Sequence, residues 1–89
     1  MPRYYFDLHN DMDAVDFEGK ELPDLNQAKR QALIEARAML EDSAGNGHIN
    51  LNHFIQVRDG RGNVLHRLHF ADVVTIVPRN KPDPPLKIT

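Results

Sequence analysis

Residues 22–47 read LPDLNQAKRQALIEARAMLEDSAGNG and contain the element that decides the fold. Asp24 can accept hydrogen bonds from the free N–H groups of a first helical turn, and Gln27 completes the spacing of a capping box. At about 100° per residue, the apolar side chains gather into one stripe. The stripe consists of Leu25, Ala28, Ala32, Leu33, Ala36, Met39 and Leu40. Because the glycines at 45 and 47 end a helix at little cost, the pattern predicts a helix over residues 25–44 that lies close against a sheet.

The residues before the helix predict a β-hairpin. Residues 3–9, RYYFDLH, alternate with the period of a half-buried strand. One face would carry Tyr4, Phe6 and Leu8, and the other Tyr5, Asp7 and His9. The turn-forming residues 10–14, NDMDA, follow, and Val15 and Phe17 then alternate in a second short strand until Gly19 interrupts it.

The residues after the helix predict a second hairpin. Residues 54–58, FIQVR, and 64–70, VLHRLHF, both alternate, and the loop DGRGN between them tolerates positive φ. In the later strand one face would carry Val64, His66, Leu68 and Phe70, and the other Leu65, Arg67 and His69. Residues 71–77, ADVVTIV, are compatible with a helical turn or a fifth strand, and we favour a strand-like or irregular segment.

Length and order together predict the architecture. Eighty-nine residues make one domain. The order β-β-α-β-β predicts a two-layer α+β domain over residues 1–77, with one helix packed on a mostly antiparallel sheet. Residues 78–89 contain four prolines and predict a flexible, disordered tail.

This architecture leaves one sheet face open. Tyr5, Phe54, Leu65 and His69 are expected on that face, where they would form a moderately apolar surface. Ile34 lies on the charged side of the helix and is a further candidate contact. Because a domain of this size buries only about 60% of its unfolded surface, a partner on the open face would help, and we expect the molecule to self-associate.

Several stretches resemble a known family. The start PRYYFDL, the segment FEGKELPDLNQAKRQAL and the ending VRDGRGNVLHRLHFADVV resemble a family of short bacterial proteins of unknown function that begin P-R-Y-[YF]-F-x-L. The resemblance covers roughly residues 2–77 and implies no mechanism; members commonly carry His where this chain has Asp7. A looser topological similarity is to HicB-type antitoxins, in which a proline-aspartate turn leads into an alanine-rich helix, and it implies a toxin partner.

The acidic stretch HNDMDAVD, residues 9–16, is the candidate metal site. An EF-hand loop counted from Asp11 fails, because Asp16 stands where glycine is required. A looser site of His9, Asp11 and Asp13 stays open as a weak alternative. His66 and His69 point to opposite sides of a strand and cannot chelate together.

The remaining chemistry predicts a protein that is not an enzyme. There is no cysteine, and Ser43, the one serine, lies at the end of the helix. Arg58, Arg61 and Arg67 form a basic cluster on the second hairpin, so nucleic-acid binding is the alternative function, although few aromatic residues accompany them. Neither a leader peptide nor an apolar span is evident, so we expect a cytoplasmic protein-interaction module without a cofactor or a small-molecule substrate.

Overall fold

The computed structural model of the chain describes residues 1–10 and 13–75. Its elements in chain order are β1 (Arg3–His9), β2 (Lys20–Glu21), α1 (Leu25–Gly45), β3 (Phe54–Arg58), β4 (Val64–His69) and α2 (Phe70–Val73). The strands form one antiparallel four-stranded sheet in the order β2-β1-β3-β4. The predicted α+β class with one main helix is confirmed, and the predicted order β-β-α-β-β lacks the second helix.

The long helix α1 forms where its caps and its apolar stripe predict. Asp24 accepts a hydrogen bond of 2.9 Å from the Gln27 N–H at its start. At its end the Gly47 N–H donates to the Ala44 carbonyl, and Gly47 adopts φ +75°, a left-handed conformation that glycine adopts without strain. The predicted span of 25–44 therefore agrees with the observed one to a single residue.

The core lies between α1 and the sheet. It is built from eight buried apolar residues: Tyr4, Ala28, Ala32, Ala36, Leu40, Ile55, Val57 and Phe70. Three of the eight are alanines of α1, and each of these three is completely inaccessible. Their small side chains allow the helix backbone to approach β3 and β4, which it contacts. The resulting core is thin for a domain of this length.

We expect Ala32→Leu to lower the free energy of unfolding by about 1–3 kcal/mol, because the added side-chain carbons have no space against the sheet. Ala38→Leu is the matched control, since Ala38 is exposed on the same helix. Urea denaturation of both variants measures the difference. Equal stability of the two variants would contradict a close approach of α1 to the sheet.

The prediction of a second strand around Val15 and Phe17 is wrong. The described strand is β2, at Lys20–Glu21, and Ala14 makes only an isolated bridge to Leu8. Five residues, 15–19, lie between the pairs Leu8–Ala14 and Tyr4–Lys20, opposite only three residues of β1. The excess forms a bulge, which we call the 15–19 bulge, and it turns these residues out of the sheet.

The prediction of a strand-like or irregular segment after the second hairpin is also wrong at the start of that segment, because Phe70–Val73 form the helical turn α2. Phe70 is buried, and its N–H donates to the His53 carbonyl at 2.9 Å. The chain then turns and packs Val73 and Val74 against the core. Burial of these apolar side chains under the end of α1 favours the turn over a further strand.

One face assignment in β4 changes as well. The register between β3 and β4 shifts between Val57 and Arg58, so that Val64 pairs with Arg58. Val64 therefore lies in register with a residue of the open face and is exposed, although plain alternation placed it with the buried side chains.

The other predictions about the ends of the chain fall outside the described residues. The proposed tail, 78–89, and the last residues of the proposed domain, 1–77, lie beyond residue 75. Neither α1 nor α2, the helices in the described part of the chain, is both long and apolar enough to cross a membrane.

Candidate interaction surface

The sheet face turned away from α1 carries the candidate site, and we call it the open face. Cross-strand pairing sets its side chains in rows. One row runs His9, Phe54, His69; the next runs Asp7, Gln56, Arg67; and a third pairs Tyr5 with Arg58. No described element packs over the first row.

The first row is a continuous aromatic cluster. The rings of His9 and Phe54 stack with centroids 4.6 Å apart and planes within 9° of parallel. The ring of His69 lies 5.1 Å from that of Phe54 on the other side, tilted by 40°. Contacts of this kind contribute about 0.5–1.5 kcal/mol each beyond the burial of area. The three rings therefore support one another in a single row.

Arg67 borders the aromatic row. Its guanidinium carbon lies 5.7 Å from the centre of the Phe54 ring, and its Nε donates to Gln56 Oε1 at 3.1 Å. Phe54 thus has a cation on its face and an imidazole on each side. Such a face can receive an apolar or aromatic group of a partner protein, or a stacked base.

His9 at the end of the row and Asp13 are the described residues of the candidate metal site. Its Nδ1 lies 3.4 Å from Asp13 Oδ1, and its buried Nε2 has no hydrogen-bond partner. Asp11 lies outside the described residues. Among residues 1–10 and 13–75, no group of three or more His, Asp or Glu side chains could hold a metal ion.

A buried ion pair anchors the other end of the open face. Asp7 is only 4% exposed, and its Oδ2 accepts from Arg58 Nε at 2.7 Å. The Arg58 guanidinium also lies 4.6 Å from the centre of the Tyr5 ring. The hydrogen bond to Asp7 raises the pKa of Arg58 above its ordinary value. This arginine therefore has a structural role in the fold.

The same pair holds the 15–19 bulge through Asp16. The Asp16 N–H donates to Asp7 Oδ1 at 2.9 Å, and the Asp16 carbonyl accepts from Arg58 Nη2 at 2.7 Å. Both backbone groups of Asp16 are therefore satisfied by side chains of the sheet, where a regular strand would have used the backbone of β1.

The Asp16 carboxylate in turn closes the bulge. Its Oδ2 accepts from the Phe6 N–H at 3.1 Å, and its Oδ1 accepts from the N–H groups of Glu18 and Gly19, both at 3.0 Å. Burial alone would raise the pKa of Asp16, but the hydrogen bonds from Gly19, Phe6 and Glu18 and the charge of Arg58 outweigh it and lower the pKa. The carboxylate is ionised at neutral pH and acts as a substitute strand partner for Phe6.

The bulge presents a side chain that the sequence placed in a strand. Phe17 is 87% exposed, although the residues on both sides of it are held by hydrogen bonds. The alternation of Val15 and Phe17 gave no indication of this exposure. The spacing of Asp16 and Gly19 is the signal that could have found it, because an aspartate three residues before a glycine is typical of a side-chain-closed turn.

The predicted contact residues divide between two surfaces. Tyr5 and Phe54 lie on the open face and are half-buried, and His69 is exposed beside them. Leu65 is 38% exposed and lies at the register shift of β4, where it has no partner in β3. Ile34 is 54% exposed on α1, which packs on the other side of the sheet. The structure therefore groups three of the five predicted contact residues, Tyr5, Phe54 and His69, and separates Ile34 from them.

The three arginines of the proposed nucleic-acid site do not act together. Arg58 is bound to Asp7 and Asp16, and Arg67 is held by Gln56 beside Phe54. Arg61 lies in the loop between β3 and β4, where its N–H donates to the Asp59 carboxylate. Only Arg67 therefore adds a positive charge to the aromatic row.

A cavity of about 350 Å³ lies between the 15–19 bulge and α1, away from the open face. Phe6, Leu8 and Met39 contribute its apolar lining, and Glu35 lies at its wall. Burial raises the pKa of Glu35, against the opposing effects of a hydrogen bond from Gln31 and the charge of Lys20. Asp16 is the other acidic residue of its lining, and its carboxylate is already bound by the N–H groups of the 15–19 bulge and Phe6, so the cavity gives no indication of a ligand.

Comparisons with known proteins give a family and no activity. Residues 3–71 match the family described as Domain of unknown function (DUF6894). A search of curated proteins found no match, and neither did a search of solved structures.

Proposed function

The chain belongs to the DUF6894 family of unknown function, and we propose that it is a protein-interaction module, not an enzyme, that binds a partner protein through the open face of its sheet. The observation that carries the proposal is the ordered row His9, Phe54, His69, which no described element covers. Aromatic side chains and arginine are the residue types that contribute most to protein interfaces.

The arrangement of the charged groups supports binding over catalysis. Asp7 and Arg58, which are the most buried charged pair of the described residues, bond to each other and to the backbone of Asp16. A general acid or base needs a free side in contact with a substrate. These carboxylate and guanidinium groups instead fix the shape of the surface.

The thin core supports the same proposal. Since three of its eight buried apolar residues are alanines, little apolar area is removed from water within one chain. A partner on the open face would bury the aromatic row as a second layer. A toxin bound in the manner of a HicB-type antitoxin is one form such a partner could take.

We expect Leu65→Lys to remove partner binding, because a lysine in β4, two residues before Arg67, must be desolvated when a partner covers the adjoining open face. The full chain, immobilised as wild type, Leu65→Lys and Ile34→Lys, is used to capture proteins from the source organism, and a captured protein is then purified and titrated. Affinity should fall at least about tenfold for Leu65→Lys and stay unchanged for Ile34→Lys. If Ile34→Lys alone loses partner binding, the binding site lies on α1. If the wild type and both variants bind the partner equally, neither surface is the binding site.

Nucleic acid is the second candidate, because Phe54 with Arg67 over its ring is a possible stacking site for a base. Binding of random single-stranded RNA that weakens steeply with salt and is lost in Phe54→Ser would favour this candidate. Since Arg58 is bound to Asp7, we expect instead that any binding of the RNA weakens only slightly with salt, as about one phosphate contact per chain would give, and this result would count against the candidate.

A further inference from the structure

The two edges of the sheet differ in how they are protected. At one edge, β2 has only two residues, and the 15–19 bulge and its carboxylates lie beside it. At the other edge, β4 has six residues, VLHRLH, with Arg67 as its only permanently charged side chain and no proline. A short edge strand, a bulge and charged residues are the devices that keep sheet edges from pairing. In the described part of the chain the β2 edge has all three, whereas β4 has the register shift at its start and one permanent charge, so the stretch from His66 to His69 is regular and nearly unprotected.

The hydrogen bonds of β4 show which backbone groups are free to pair. The Phe70 N–H donates toward β3, to the His53 carbonyl. Alternate residues of an antiparallel strand direct their backbone N–H and C=O groups the same way. The backbone groups of Leu68 and His66 therefore also point toward β3. Arg67 therefore directs its N–H and C=O groups outward and His69 directs its N–H outward, where no described strand lies beside β4, while the His69 carbonyl is the N-cap acceptor of α2.

We propose that the β4 edge pairs antiparallel with the β4 edge of a second copy of this chain, so that two sheets join into one sheet of twice the width. The occupant is a second copy because every copy presents the same unprotected strand, and antiparallel pairing of a strand with itself is closed by a two-fold axis. The outward backbone groups of β4 in each copy then form hydrogen bonds with those of the other copy, so neither copy keeps an unpaired β4 edge.

The side chains of β4 restrict the register of this pairing. Two like charges directly opposite each other destabilise a strand pair, so Arg67 of one copy does not face Arg67 of the other. Of the neighbouring registers of matching faces, the one that keeps to the regular part of β4 places Arg67 opposite His69 of the second copy, which are not like charges when His69 is neutral. The helix α1, which contacts β4, would then lie beside its counterpart on the covered side of the sheet.

This dimer would also enlarge the open face. A two-fold axis perpendicular to the sheet keeps both open faces on one side, so the two aromatic rows become parts of one surface. The inference goes beyond the proposed function and does not depend on it, because edge pairing uses the backbone of β4 and leaves the rings of His9 and Phe54 uncovered.

His69→Pro tests the pairing. Residue 69 has φ −80°, which proline can adopt, and its outward N–H makes no bond to β3, so the substitution removes an edge donor with little strain on the chain. His69→Ala is the matched control, because it removes the same imidazole and keeps the N–H. Sedimentation velocity of the full chain up to high micromolar concentration should give a dimer for the wild type and for His69→Ala. For His69→Pro it should give a dissociation constant at least about tenfold weaker.

Three outcomes would overturn the inference: a monomeric wild type, a His69→Pro variant that dimerises as the wild type does, or equal loss of dimer in both variants, which would assign association to the imidazole. Amide exchange of the wild type is a second measurement that needs no substitution. Exchange at Arg67 and His69 should slow as the protein concentration rises, and rates independent of concentration would equally overturn edge pairing.

Discussion

Asp7→Ala should lower the free energy of unfolding by about 3–5 kcal/mol, which is the cost expected when one partner of a buried ion pair is removed. The side chain of Asp7 is 6% exposed and that of Arg58 is 20% exposed. Without Asp7, the Arg58 guanidinium loses its acceptor at 2.7 Å, and the Asp16 N–H loses its acceptor at 2.9 Å. Urea denaturation followed by circular dichroism measures the loss.

The double variant Asp7→Ala/Arg58→Met separates the ion pair from simple packing. Each single variant leaves an opposite charge without its partner, whereas the double variant leaves neither, so it should lose less stability than the sum of the two single losses. Additive losses, or a loss below about 1 kcal/mol for Asp7→Ala, would show that the pair contributes no more than an exposed one does.

The sequence predicted α1 and the two faces of β1 and β3 because each of these signals is local. Asp24 and Gln27 lie within one turn, and the alternation of Tyr4, Phe6 and Leu8 needs no knowledge of a partner strand. The rows of the ladder bring Tyr5, Phe54 and His69 to the face that the alternation predicted for them, because cross-strand neighbours on a sheet follow from the same period, and their role as contact residues stays a prediction.

The parts that could not be predicted depend on contacts between distant positions. Asp7 alternates with apolar residues as an exposed aspartate would, and only the register that brings Arg58 and Asp16 to it shows that it is buried. The register shift beside Arg58 likewise reverses Val64, since one extra residue in β4 changes the face of the residue before it relative to those after it. The burial of Asp7 depends on its hydrogen-bond partners Asp16 and Arg58, which lie 9 and 51 residues from it along the chain.

Gly19→Ala should lower the free energy of unfolding by about 2–5 kcal/mol, because two costs add at this position. Gly19 has φ +68°, which costs a residue with a Cβ atom about 1–2 kcal/mol. A Cβ atom there would also lie 2.9 Å from the Arg3 Cγ and Tyr5 Cε1 atoms and 3.0 Å from the Tyr4 carbonyl oxygen. The carbonyl belongs to β1 and cannot move aside without disturbing the sheet, so overpacking adds about 1–3 kcal/mol.

Gly62→Ala separates these two costs. Gly62 has φ +88°, and a Cβ atom there would have no neighbour within 4 Å, so this variant should show the backbone cost alone, about 1–2 kcal/mol. The excess loss in Gly19→Ala then measures how tightly the 15–19 bulge is held against Arg3 and Tyr5. Equal losses in the two variants would mean that the bulge moves away freely. The exposed Phe17 would then be a mobile side chain with no fixed position on the surface of the domain.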